Sequence, residues 1–160
     1  MMKMMITAVM AAASFLLSAE VPASDFDCSG MQQLWHKAEQ GDAVAEGVLG
    51  NLYFDGECVR QDYSNAARWY RNAAEHGQVN AQVVLGIMYA KGQGVTRNYT
   101  EAARWLQKAA DQGNTSAMEA LAIMYANGLG FAKDTGRADE LLREACRSGD
   151  NGACASLRQY

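Results

Sequence analysis

The chain is poor in the residues that carry out chemistry. It has two histidines, His36 and His76, and neither belongs to a His-Glu-x-x-His pair. No Gly-x-Ser-x-Gly and no Walker-type Gly-Lys-Ser/Thr occurs either. His36 stands beside Lys37, and His76 stands one residue before Gly77, where a partly charged imidazole suits a helix C-terminus. Both read as structural residues. Four cysteines are present without a Cys-x-x-Cys, and the Cys-x7-Cys of Cys146 and Cys154 lacks a nearby histidine, a poor spacing for zinc. No catalytic, cofactor-binding or metal-binding residue is expected. A basic cluster is also missing. With 14 Lys+Arg against 18 Asp+Glu the net charge is −4, which argues against nucleic acid or an anionic membrane as a partner.

A membrane-spanning run is likewise lacking. Met4 to Leu17 is apolar but covers only 14 residues, too short for a span. It follows a short positive start, Met1 to Lys3, and precedes Val21-Pro22-Ala23, which places small residues where a signal peptidase cuts. Residues 1–23 therefore read as a secretory signal peptide, cut after Ala23 or, as the second choice, after Ala19. Cys28 stands away from the cut, so no lipid anchor is expected. Removing Lys3 and Glu20 leaves the net charge at −4. Residues 24–160 would form one elongated domain, periplasmic or secreted.

What the chain has is a period. Four stretches superpose at a constant offset of 36 residues without gaps. Ala45, Ala81, Ala117 and Ala153 form one column, and Leu49, Leu85, Leu121 and Leu157 another. Tyr53/Tyr89/Tyr125, Gly56/Gly92/Gly128, Ala66/Ala102/Ala138, Ala73/Ala109/Ala145 and Gly77/Gly113/Gly149 follow. A period of this length marks a solenoid, whose units bury their apolar faces only against their neighbours. Each unit reads as two helices. Ala-x-x-x-Leu-Gly-x-x-Tyr puts its members on one face of a first helix, widened by Val48/Val84/Ala120 and Leu52/Met88/Met124. Gly56, Gly92 and Gly128 end it. Asp62, Asn98 and Asp134 are N-caps of the second helix, Asn98 forming a capping box with Glu101. Trp69 and Trp105 belong to its core columns. The repeats cover about 42–77, 78–113 and 114–149. A lone second helix at 31–41 precedes them, and a truncated first helix at 150–160 follows.

These residues resemble the Sel-1-like repeat family, relatives of the tetratricopeptide repeats. Leu85-Gly86-x-x-Tyr89-x-x-Gly92-x-Gly94-Val95 is similar to the family's first helix and turn. Asn98-Tyr99-x-x-Ala102-x-x-Trp105-x-x-x-Ala109-Ala110-x-x-Gly113 is similar to its second helix. The third unit departs at Ala122, Phe131, Thr135 and Leu141. The resemblance implies an all-α fold, a right-handed α-solenoid with half-repeats at both ends. Four cysteines allow three pairings that spacing alone does not decide. The Cys146–Cys154 spacing looks like the disulfide of the secreted, cysteine-rich branch of the family, and the implied helix order puts Cys28 and the Cys58 turn at a shared end. Cys28–Cys58 with Cys146–Cys154 is the preferred pairing, and it implies an oxidising compartment.

In tetratricopeptide-like solenoids the first helices line the concave face, where non-repeating positions are free to encode a partner. Here these are Glu46, Gln82 and Met118; Asn51, Ile87 and Ile123; Phe54, with Ala90 and Ala126 in its column; and Asp55, Lys91 and Asn127. Phe54 is the expected anchor, because an aromatic there has no counterpart. The competing reading is that some of these residues pack between repeats. The expected partner is another protein, a secreted effector or an envelope protein, bound by an adaptor, regulator or inhibitor. An immunity protein against a lipase-type effector is the sharpest form of that reading. Two alternatives are a protein that binds or hydrolyses β-lactams or peptidoglycan, and a structural assembly component stacking through the final helix.

Overall fold

The computed structural model describes residues 28–157; the expected signal peptide at 1–23 and the last three residues of the expected final helix lie outside them. A 3₁₀ turn, Cys28–Gly30, leads into α1 (Met31–Glu39), α2 (Ala43–Asp55), α3 (Tyr63–Glu75) and α4 (Val79–Lys91). Then come α5 (Tyr99–Asp111), α6 (Thr115–Asn127), α7 (Thr135–Arg147) and α8 (Asn151–Ser156). No strand occurs among the described residues. The pairs α2–α3, α4–α5 and α6–α7 form three helical hairpins, each packed on the next. The fold is an α-solenoid.

Local chemistry fixes where each helix starts and stops. Side chains of Asp42, Asp62, Gln78, Asn98, Asn114, Asp134 and Asp150 accept backbone N–H groups of the first turns of α2 to α8. Gly56, Gly92 and Gly128 close the first helices in the left-handed conformation. The expected capping box at α5 forms only in half. Asn98 Oδ1 accepts the Glu101 N–H at 3.1 Å, but the Glu101 carboxylate turns forward onto Arg104 at 2.8 Å. The Asn98 N–H goes instead to the Tyr89 carbonyl, as Asp62 and Asp134 do to Tyr53 and Tyr125.

The core follows the columns. Leu49, Leu85 and Leu121 are fully buried, as are Ala66, Ala73, Ala102, Ala109 and Ala145. Burying one such leucine stabilises by about 1.5–3 kcal/mol, and the small alanines let neighbouring helices approach. The tyrosine column is only half-buried. Leu157 is also half-buried, unlike the other three leucines. At the other end, Trp35 of α1 meets Trp69 edge-on with centroids 5.3 Å apart and Tyr53 at 6.3 Å, closing the first hairpin.

The turn after each first helix shows how the repeats seat on one another. A Cβ at Gly94 would fall on the Tyr63 carbonyl, and one at Gly130 would stand 2.8 Å from that of Tyr99. Both glycines are left-handed, at φ +70° and +78°, so two separate constraints select glycine there. The first hairpin carries Cys58 in this column, also left-handed at φ +58°, and bonded to Cys28 with Cα atoms 5.7 Å apart. A covalent bond thus stands where the later repeats press backbone on backbone. Cys146 of α7 and Cys154 of α8 form the second disulfide, their Cα atoms 4.7 Å apart.

Candidate functional site

The two helix types differ in what they show to solvent. Second helices are strongly amphipathic, whereas first helices are apolar on nearly every side. The outward positions of α3, α5 and α7 are charged, and many are already engaged. Arg104 pairs with Glu101 and Arg137 with Glu140, each at 2.8 Å. Arg104 and Lys108 also lie over the Trp105 ring at 4.4 and 4.5 Å, and Arg68 lies over Trp69. Arg71 donates to the Tyr89 hydroxyl. Four large hydrophobic side chains stand exposed among the described residues: Val44, Val48, Ile87 and Ile123. All four belong to first helices.

The expected partner-binding positions separate into two groups. Glu46, Gln82 and Met118 are 2%, 3% and 3% exposed, and this corrects their assignment to a binding surface. Their column turns inward, toward the end of the second helix of the same hairpin and, at Gln82, also onto α3 of the preceding one. Glu46 Oε2 lies 2.7 Å from His76 Nδ1. Gln82 donates to the Ala74 carbonyl at 3.1 Å and accepts from the Gln112 amide at 2.8 Å, and Met118 joins the apolar core that the second and third hairpins share. His76 is therefore the hydrogen-bond partner of a buried carboxyl group and not only a helix-end imidazole. The signal for this was a shared separation of 30 residues, His76 from Glu46 and Gln112 from Gln82.

Phe54 is half-buried, set edge-on against Tyr63 at 5.2 Å and Tyr70 at 6.4 Å, which makes it part of the packing of the first hairpin. Asn51 is exposed but accepts the Tyr70 hydroxyl at 2.7 Å. Burial, and then the charge of Asp55, push the Tyr70 phenol well above its ordinary range. Asp55, Ile87, Lys91, Ile123 and Asn127 are exposed. They stand four residues apart along their helices and repeat from hairpin to hairpin, forming one stripe across α2, α4 and α6. The Asn127 amide caps the Ile123 carbonyl at 2.7 Å. Val44 and Val48 extend the stripe along α2. Val48 was expected in the apolar core face and is 37% exposed, whereas Val84 and Ala120 in its column are half-buried. The difference is that α2 opens the series, with no first helix before it among the described residues. No cluster of three or more metal-ligating side chains occurs among the described residues, and no helix there is long and apolar enough to cross a membrane.

Residues 43–78, 79–114 and 115–150 each match the model of the Sel1 repeat. The structure is similar to a protective antigen of uropathogenic Escherichia coli displaying an SLR fold, with TM-score 0.76 and 38% identity. That similarity covers 79% of this chain but only 27% of the antigen, so the chain spans about a quarter of that relative's length. A Sel1 repeat protein from Oxalobacter formigenes is similar with TM-score 0.74 and 35% identity, over 81% of this chain and 98% of that one. Helicobacter pylori cysteine rich protein B shares the fold alone, with TM-score 0.61 and 21% identity over 81% of this chain and 92% of that one. No curated protein matches the chain.

Proposed function

Because the chain belongs to the Sel1 repeat family, whose members generally mediate protein–protein interaction, we propose that it is an exported binding module that holds a partner protein on its first-helix face. The observation that carries this reading is the segregation of exposed apolar side chains. Val44, Val48, Ile87 and Ile123 all project from first helices, while the second helices present charges. Apolar side chains kept in water on one face, beside polar rim residues such as Asp55, Lys91 and Asn127, are what a protein interface requires.

Two disulfides within one small domain favour an oxidising compartment, consistent with the leader read at 1–23. The partner is then a protein of the cell envelope or a secreted effector. An adaptor, a regulator and an inhibitor such as an immunity protein would all use the same face. The protective antigen to which the chain is similar fits display outside the cytoplasm.

The test is affinity capture from an envelope extract with the oxidised protein, comparing wild type with Val44→Ser/Ile87→Ser. Both side chains are exposed, so melting is expected to stay unchanged while the captured partner is lost. A partner retained by the double variant would discard the first-helix face and move the search to Arg68, Arg71 and Arg104.

A further inference from the structure

The third hairpin departs from the other two in a way that opens a groove. α6, α7 and Ser156 of α8 enclose a cavity of about 570 Å³, within the size range of ligand sites. Its apolar wall includes Ile123, Ala126 and Leu142, and Glu119 and Asp139 stand at it with Thr135. α8 stops at Ser156, where the matching helices α4 and α6 run on to Lys91 and Asn127, and the lining also differs from the earlier repeats. Thr135 replaces Tyr63 and Tyr99, while Ala126 and Leu142 stand, like Ala90 and Leu106 of the second hairpin, where the first has Phe54 and Tyr70. In the first hairpin Phe54 packs edge-on against both tyrosines. Asp139 replaces Ala67 and Ala103, and Glu119 replaces Gly47 and Val83. Against both other hairpins the third has thus lost the tyrosine ring at 135 and gained two carboxylates along one groove.

Neither carboxylate has an ion-pair partner among the described residues. Partial burial, and then the negative charge of Asp150, push the Glu119 carboxyl above its ordinary range. Nothing in the groove compensates this charge, and the adjoining wall is aliphatic.

We infer that this groove is a docking site for a segment of a partner protein that carries a lysine or arginine beside an aliphatic side chain, the cation reaching Glu119 and Asp139 and the aliphatic group lying on Ile123, Ala126 and Leu142. Charge complementarity selects the basic residue, and the wall left apolar selects its neighbour. The inference rests on the protein-binding reading above and deepens it by stating the partner's chemistry.

The test is fluorescence anisotropy with a short labelled peptide of alternating lysine and leucine, against lysine–serine and glutamate–leucine peptides, using the full oxidised chain. Thr135→Tyr restores the residue that two other repeats carry, so it closes the groove with a side chain the fold accepts. Glu119→Gln/Asp139→Asn removes the charge without removing volume. Each is expected to weaken binding of the lysine–leucine peptide about tenfold or more, the loss typical of a central interface contact. The remote control Glu39→Gln/Glu57→Gln is expected to change it by about twofold or less, as exposed charges do.

Equal affinity in the groove variants, equal binding of the glutamate–leucine peptide, or an equal loss in the control would each overturn the inference. Binding about tenfold tighter after removal of residues 158–160 would assign the groove to those residues, and a dimer abolished by Thr135→Tyr would assign it to a second copy; either also overturns it. Partner capture that depends on Val44 and Ile87 but ignores Thr135→Tyr sinks the groove and leaves the first-helix face standing.

Discussion

In the first hairpin Glu46 and His76 hold the positions that Gln82 and Gln112 hold in the second and Met118 and Ser148 in the third. The first hairpin places a carboxyl–imidazole hydrogen bond there and the second an amide pair, while in the third Met118 is simply buried. His76→Ala leaves the Glu46 carboxylate buried without its donor, and is expected to cost about 1–3 kcal/mol. The double variant Glu46→Gln/His76→Gln recreates the second hairpin's pair and is expected to lie within about 1 kcal/mol of wild type, the difference appearing as coupling in a double-mutant cycle. Urea denaturation at neutral pH measures it. Additive losses would show that the two residues act independently. This pairing was not legible in the repeat columns, because alignment by period compares like positions between repeats. A contact between two different columns of one hairpin leaves no mark there unless both are followed together. Phe54 escaped for the same reason: its singularity in its column suggested a partner outside, whereas Tyr63 and Tyr70 were the partners inside. Phe54→Ala is therefore expected to lower stability by about 1–3 kcal/mol, with thermal melting as the readout. An unchanged melt would return it to the list of surface anchors.

At the scale of the helix, caps make the pH dependence predictable. The Asn65 backbone N–H, followed by its side-chain amide, holds the Asp62 carboxyl below its ordinary value of 3.8. The Ala153 N–H and then the Thr115 side chain do the same for Asp150. A carboxyl lowered in the folded state contributes stability above its unfolded value, and that contribution is lost as pH falls through the folded value. Stability is thus expected to drop below about pH 4. Glu119 works in the opposite sense, since a raised carboxyl favours the folded state when protonated. Asp62→Asn/Asp150→Asn keeps side-chain oxygens as caps, as Asn98 and Asn114 already do, and is expected to flatten the acid limb of a melting-temperature profile. An unaltered limb would place acid sensitivity elsewhere. The starts of the second helices, the helix stops and the hairpin order were legible in the sequence because caps and glycines act locally, whereas the first-helix caps Asp42, Gln78, Asn114 and Asp150 were not read there. Which face each apolar column presents was less so. Val48 and Val84 share a column, yet exposure depends on whether another first helix precedes them.

Across the whole molecule the stabilising contacts run between neighbours, and the two disulfides sit at the two ends. Cys28–Cys58 closes a separation of 30 residues and Cys146–Cys154 one of 8. Loop-closure entropy makes the first worth about 3–4 kcal/mol and the second about 2–3 kcal/mol. Reduction is expected to raise amide exchange first in α1 and α8, while α4 and α5 retain their protection; uniform loss of protection would show that the solenoid unfolds as one unit. Both cysteine pairs also have a consequence for how such a chain can change length. Each bond begins and ends within a terminal part of the array, and neither crosses residues 79–114. A copy of that middle unit could be removed or duplicated with both covalent links kept intact. The ends act as fixed brackets and the interior as a countable insert, so the reach of the molecule is set by arithmetic in units of one repeat.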